Sequence, residues 1–295
     1  MVWLARQPTL MSTSRIDAHM HWWTPQRGDY GWLTASLPTL YRDFGPQDAE
    51  PLLRSAGIDG VVLVQAAPTL AETRYLLELA ETRGYVEGVV GWVDFSRPRD
   101  LEELAGEPLL VGLRPMLQDL EPVEWILGVE RHSTLKMLSS LDIPFEALVR
   151  PAHLPVLCRL LDRHPRLRLM IDHAAKPNVA GPLADWRRDL ALLAQHARVF
   201  CKLSGLVTEA PASTPRAALT PIVDTLLETF GPERLIWGSD WPVVTLRMEY
   251  TTWHEWSLAL LDPLAPADRA AIFGGNARRF YRLRGACGGV APAGA

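Results

Sequence analysis

Arg15-Ile16-Asp17-Ala18-His19-Met20-His21-Trp22-Trp23 reads as a short strand closing on two histidines spaced i, i+2. Side chains on a strand alternate faces, so Asp17, His19 and His21 are expected on one face and Ile16, Ala18 and Met20 on the other. Two imidazoles on one face can hold a metal ion or a reacting group between them. They can also be strand-end polar groups that face water. The partners offered by the rest of the chain decide between these readings.

Outward from this strand the chain alternates. Residues 24–51 are rich in Pro, Gly, Asp and aromatics and read as a long loop, a length usually kept for function. Residues 48–56 suit a helix, and Gly60-Val-Val-Leu-Val-Gln65 is an apolar β-branched run typical of a strand buried on both faces. Helical spacing over 70–83 stops at Gly84. Further strands are expected at 86–95, 109–114, 143–149, 167–173, 199–204 and 234–240. Helices are expected at 98–105, 125–141, 154–164, 183–196, 217–230, 250–261 and 266–273. About eight β-then-α units with no break in composition predict one domain, a distorted (β/α)8 TIM barrel over 15–284. An open doubly wound sheet is the runner-up, weakened because no glycine-rich phosphate loop follows the first strand.

Composition narrows the function. The 295 residues are 48% hydrophobic and 22% charged, with net charge −4 and no basic run, which argues against nucleic acid. No apolar run is long enough to cross a bilayer, so no membrane partner is expected. The three cysteines are widely spaced, which suits a reducing cytoplasm. Residues 1–14 lack the features of a signal peptide and read as a disordered leader, with Met1 and Met11 both open as starts. The Gly-rich tail 285–295 reads as disordered too. A homo-oligomer is left open.

In a (β/α)8 barrel the chemistry sits at the C-terminal strand ends. There the sequence offers His19 and His21, then Gln65, Asp94, Arg114, Glu146, Arg150, His173 with Lys176 beyond it, Lys202 with Ser204, and Asp240 before Trp241. Each also has a plain reading: Asp240 as a turn former before Pro242, His173 as a cap, Glu146 and Lys202 as a mutual pair. His153, just after strand five, stays undecided. His132, His164, His196 and His254 fall on helices or loops and read as structural.

In order, IDAHMHWW, GVVLVQ, GVVGWVDF, GLRP, IDHAAKP, KLSGLVTEA and RLIWGSDWP resemble the amidohydrolase superfamily, and within it the amidohydrolase-2 lactonase branch. That branch holds hydrolases of L-fuconolactone, L-rhamnonolactone and 2-pyrone-4,6-dicarboxylate. The resemblance covers about 15–284. It implies a distorted barrel, hydrolysis of a cyclic ester, and His19, His21, His173 and Asp240 as the metal-ligand or catalytic positions. The strand-four lysine that bridges two metals in other members is replaced by Arg114. The strand-five histidine is replaced by Glu146, with His153 a few residues on. These departures argue against a binuclear centre and leave one divalent ion such as zinc, with Glu146 or His153 as a further ligand, or metal-independent catalysis.

The expected chemistry is water attack on a sugar lactone assisted by Asp240, with Arg114 steadying the oxyanion. Trp22, Trp23, Tyr30, Trp32 and Trp241 would form an aromatic wall, with Gln65 and Lys176 as polar contacts. A pyrone dicarboxylate would want several converging arginines, and one is placed with assurance. A metal-dependent decarboxylase and a barrel that only binds sugars are the competing readings.

Overall fold

The computed structural model describes residues 14–284. The expected leader, apart from Ser14, and the expected tail lie outside the described residues. Eight parallel strands follow one another in sheet order: β1 Ile16–Met20, β2 Gly60–Val64, β3 Val86–Gly91, β4 Leu110–Leu113, β5 Phe145–Ala147, β6 Leu169–Ile171, β7 Val199–Leu203 and β8 Leu235–Trp237. The helices are α1 Pro46–Ala56, α2 Leu70–Glu81, α3 Pro98–Leu104, α4 His132–Leu141, α5 Leu154–Arg163, α6 Ala184–Ala194, α7 Thr220–Phe230, α8 Tyr250–Leu260, α9 Pro266–Ala270 and α10 Asn276–Tyr281. The TIM-barrel expectation therefore holds.

Alternation within the strands sorts their apolar residues into two cores. Ile16, Ala18, Val62, Val64, Val90, Met170 and Ile236 fill the barrel interior. Val61, Leu63, Leu169, Ile171, Val199, Leu203 and Trp237 face the surrounding helices. Burying each Val, Leu or Ile side chain contributes ~1.5–3 kcal/mol, so the continuous apolar runs keep both faces dry. Ala277, Phe280 and Tyr281 of α10 join the interior core. This helix closes the N-terminal end of the barrel, opposite the strand ends that carry the polar residues. It was not foreseen as a separate element, because a π-turn over Ala271–Gly275 interrupts its periodicity. The helix expected over 125–141 likewise begins only at His132, since Gly128 is extended and splits the preceding residues into two short 3-10 turns.

The barrel closes at a seam. β1 meets the segment just after β8 through one bridge, Met20 to Trp241, rather than through a ladder. His21 N donates to Trp241 O at 2.7 Å, and Asp240 N donates to His19 O at 2.8 Å. A Cβ on Gly238 would stand 2.6 Å from the Cβ of His19 and 3.0 Å from its backbone nitrogen. Glycine there lets β8 come close enough for these bonds, and the closure brings the residues of interest together.

Candidate active site

The strand that opens the chain does not alternate strictly. Its register against β2 shifts between Asp17 and Met20. Ala18 belongs to the interior core, and the next residue, His19, also points inward, to Lys202 and Arg114. Such a bulge re-aims the residues after it. Asp17, expected beside the histidines, instead accepts from Ser239 N at 2.9 Å and from the Tyr250 hydroxyl of α8 at 3.2 Å. Burial pushes its pKa up to about 6 against these bonds. Asp17 thus ties β1 to the chain after β8 and does not face the site.

A second departure places His173. Leu169 and Ile171 face the helices, so simple alternation would send His173 outward with them. Instead His173, Ala174, Ala175 and Lys176 all take positive φ, between 51° and 58°. A left-handed residue other than glycine costs roughly 1 kcal/mol or more, and such strain gathers where a side chain must be aimed. Here the turn lets adjacent Asp172 and His173 both point into the barrel mouth. Gly205 makes room for it: a Cβ there would meet His173 Nδ1 at 2.5 Å. Asp240 also has positive φ, at 59°.

Three imidazoles surround one carboxylate oxygen. Asp240 Oδ1 lies 3.3 Å from His21 Nε2, 3.7 Å from His19 Nε2 and 3.8 Å from His173 Nε2. His21 Nδ1 is held by the Val64 carbonyl at 2.7 Å, and His173 Nδ1 by the Ser204 hydroxyl at 2.8 Å. Burial lowers the His173 pKa to about 4, so this ring is neutral at neutral pH. Burial alone would raise the pKa of Asp240, but His173, the hydrogen bond from His21 and the nearby His19 together hold it below the ordinary carboxylate range. Asp240 is therefore ionised.

Beneath these groups lies a closed network of charges. Lys202 Nζ stands 2.5 Å from Glu146, 3.2 Å from Asp172 and 3.0 Å from His19 Nδ1. Arg114 bonds Asp172 and His19 Nε2, each at 3.3 Å, and Gln65 Oε1 at 3.0 Å. It also donates to the Gln65 carbonyl, and Tyr281 of α10 donates to Glu146. Burial raises the Glu146 pKa to about 7 in spite of Lys202. Asp172 is held well below the ordinary range: burial opposes its ionisation, but Lys202, His19 and Arg114 outweigh it. Its role was not read from sequence. With Met170 facing inward, two-residue periodicity would have put Asp172 inside as well.

A cavity of about 240 Å³ opens above, lined by His21, Trp32, Arg114, His173, Lys176 and Asp240 among others. His19 does not line it; the ring is wholly buried beneath. Most of the expected aromatic wall is also elsewhere. Trp22 is fully buried with its ring edge-on to Tyr85. Trp23 is buried too, stacked on His21 and edge-on to Trp32 and Phe44, with its Nε1 held by the Leu40 and Arg42 carbonyls. Trp241 packs on Phe44, and Tyr30 is buried. These rings pin the long loop after β1 to the barrel mouth, and Trp32 alone of the five reaches the cavity. Gln65 serves as a brace for Arg114, and Lys176 pairs with Glu209 at 2.7 Å. His153 turns its Nδ1 to Arg150 and stays outside the histidine cluster. Asp94 bonds Ser96. Gln118, which sequence reasoning missed, lines the cavity, and its buried Oε1 has no partner among the described residues.

The family model described as Amidohydrolase matches residues 16–283. The chain belongs to the amidohydrolase family. Among its relatives, the L-fucono-1,5-lactonase of Burkholderia ambifaria is 45% identical over 92% of this chain and 96% of its own length. The L-fucono-1,5-lactonase of Burkholderia multivorans is 35% identical over 92% and 97%. A crystal structure of an amidohydrolase from Burkholderia multivorans with bound zinc superposes with a TM-score of 0.87, at 36% identity, over 92% of this chain and 99% of that one.

Amidohydrolase sites use histidine and carboxylate ligands, and the residues present fit one ion. The ligand atoms of His19, His21 and Asp240 lie within 4.8 Å of one another, as do those of His19, Asp172 and His173. His21 and His173 have Nδ1 fixed by a second partner and Nε2 facing Asp240, the arrangement of a zinc-binding imidazole. His19 fits less well, because the cations of Lys202 and Arg114 sit against its two nitrogens. Even so, both close sets include His19, and the one whose other members line the cavity is His19, His21 and Asp240. Lys202, engaged by Glu146 and Asp172, is not placed as a bridge between two ions.

Proposed function

We propose that the protein hydrolyses an aldono-1,5-lactone of the L-fucono type. The observation that carries this is the convergence of Asp240, His21, His173 and Arg114 on one cavity of lactone size. The relatives named L-fucono-1,5-lactonase support the substrate class. Among the described residues a single arginine lines the cavity, which suits a neutral polyhydroxylated ring better than a dicarboxylate.

The ionised Asp240 accepts a proton as the oxygen of water bonds to the lactone carbonyl carbon. Arg114, which lines the cavity, donates to the oxyanion that forms. Collapse of the tetrahedral intermediate breaks the bond to the ring oxygen. Asp240 returns its proton to that oxygen, and the hydroxy acid released ionises to the aldonate. His21 and His173, fixed through Nδ1, orient the water and Asp240. Gln65 and Asp172 hold the guanidinium of Arg114 in place, and His19 supports Asp240 from below. A zinc ion held by His19, His21 and Asp240 would lower the pKa of a bound water to about 7.

Acid release from a panel of aldonolactones, followed by a pH indicator with and without chelator, tests this reading. Turnover of L-fucono-1,5-lactone is expected. Unchanged turnover after verified metal loss would remove zinc from the account and leave the lactonase reading standing.

A further inference from the structure

Beside the catalytic cavity lies a second chamber of about 470 Å³. The two share Trp32, Met116 and Asp119 as a common wall. Trp32 forms the partition, its Nε1 anchored to the Ala66 carbonyl at 2.7 Å. The far side of the chamber is built from Trp92, Phe95, Leu120 and Trp125. The catalytic cavity already matches a single lactone ring, so the chamber is not needed for that substrate.

Three features limit what the chamber accepts. Its aromatic walls suit the apolar face of a ring. Among the described residues the only charged ones lining it are the acids Asp29, Asp94 and Asp119, so an anionic group is repelled. Asp29 Oδ2 accepts from Arg27 and Thr69, Asp94 Oδ1 from Ser96 and Asp119 Oδ2 from Gln118. Carboxylates set in an aromatic lining accept from hydroxyls, which an alkyl chain cannot supply. Adjacency across the wall of Trp32, Met116 and Asp119 makes the occupant part of the substrate rather than a separate ligand.

We infer that the chamber is a second subsite for a neutral sugar ring joined glycosidically to the lactone, which extends the substrate class to aldobiono-1,5-lactones. This rests on the lactonase reading for its chemistry and on the chamber for its selectivity.

The test compares kcat/KM for a monosaccharide 1,5-lactone, a neutral aldobiono-1,5-lactone and its counterpart with a uronic acid as the distal ring. It uses the parent protein, Leu120→Trp, which fills the chamber, and Trp125→Ala, which removes a wall. The neutral disaccharide lactone is expected within tenfold of the monosaccharide lactone, and the uronic counterpart at least tenfold below the neutral one. Leu120→Trp is expected to lower the disaccharide-to-monosaccharide ratio at least tenfold, and Trp125→Ala to lower it severalfold. Turnover of the monosaccharide lactone with inert disaccharide lactones, or a ratio unmoved by both substitutions, overturns the inference. If no lactone is turned over, the lactonase reading fails instead. The chamber is then judged by calorimetric titration with cellobiitol: binding that Leu120→Trp abolishes supports it, and no binding to the parent protein refutes it.

Discussion

Asp240 Oδ1 stands 3.3 Å from His21 Nε2, joining the turn after β8 to the residue after β1 across the seam of the barrel. The seam bonds fix this distance, since Asp240 N donates to His19 O and His21 N to Trp241 O. Replacing the carboxylate by an amide keeps the shape and removes the proton acceptor. Asp240→Asn is expected to lower kcat/KM by ~10²–10⁴-fold, the usual worth of a general base. A circular dichroism spectrum matching the parent would separate this from unfolding, and near-parent activity would remove Asp240 from the base role.

Arg114 gives its fork to Gln65, Asp172 and His19 at once. Lysine keeps the charge but has no fixed fork with which to hold these groups while donating to an oxyanion. Arg114→Lys is expected to cost ~10²-fold or more in kcat, on the scale of one lost oxyanion donor. A change confined to KM would point to ground-state binding instead.

Lys202 is fully buried against Glu146 and Asp172. Removing one partner of a buried ion pair leaves the other charge unpaired, at a cost of ~3–5 kcal/mol. Lys202→Met is expected to lose that much in urea unfolding, and adding Glu146→Gln to recover part of it. An unfolding midpoint equal to the parent's would show that water reaches this network.

His173 sets a pH dependence. Burial takes its pKa from 6.5 in the unfolded chain to about 4 in the folded one. Between those values the unfolded state binds a proton that the folded state does not, so stability present above pH 6.5 is lost as pH falls toward 4. The shift is worth ~3 kcal/mol. Urea unfolding at pH 7 and pH 4.5, with chelator present, is expected to show a larger acid loss for the parent than for His173→Gln. Activity should likewise hold as pH falls below 6.5 and drop near pH 4. An acid limb near 6.5 would contradict a buried neutral ring.

Much of this was legible in the sequence. Continuous apolar runs such as Val61–Val64 marked the strands, and strand ends marked His19, His21, Arg114, His173 and Asp240. What alternation could not foresee is where the backbone breaks it. The bulge after Asp17 and the left-handed turn at His173–Lys176 each re-aim a side chain at a backbone cost no residue pattern announces. The tryptophans misled for another reason. Trp22 and Trp23 lie beside the site in sequence, but large rings bury wherever space exists, and both are fully enclosed. Trp32, ten residues further along a loop without periodicity, supplies the wall.

The central claim is lactone hydrolysis driven by Asp240, and the most direct measurement follows acid release from L-fucono-1,5-lactone by the parent protein and by Asp240→Asn. The account predicts turnover by the parent well above the spontaneous rate and its near-complete loss in the variant. A folded parent protein that leaves L-fucono-1,5-lactone and every other aldonolactone at the spontaneous rate would contradict it.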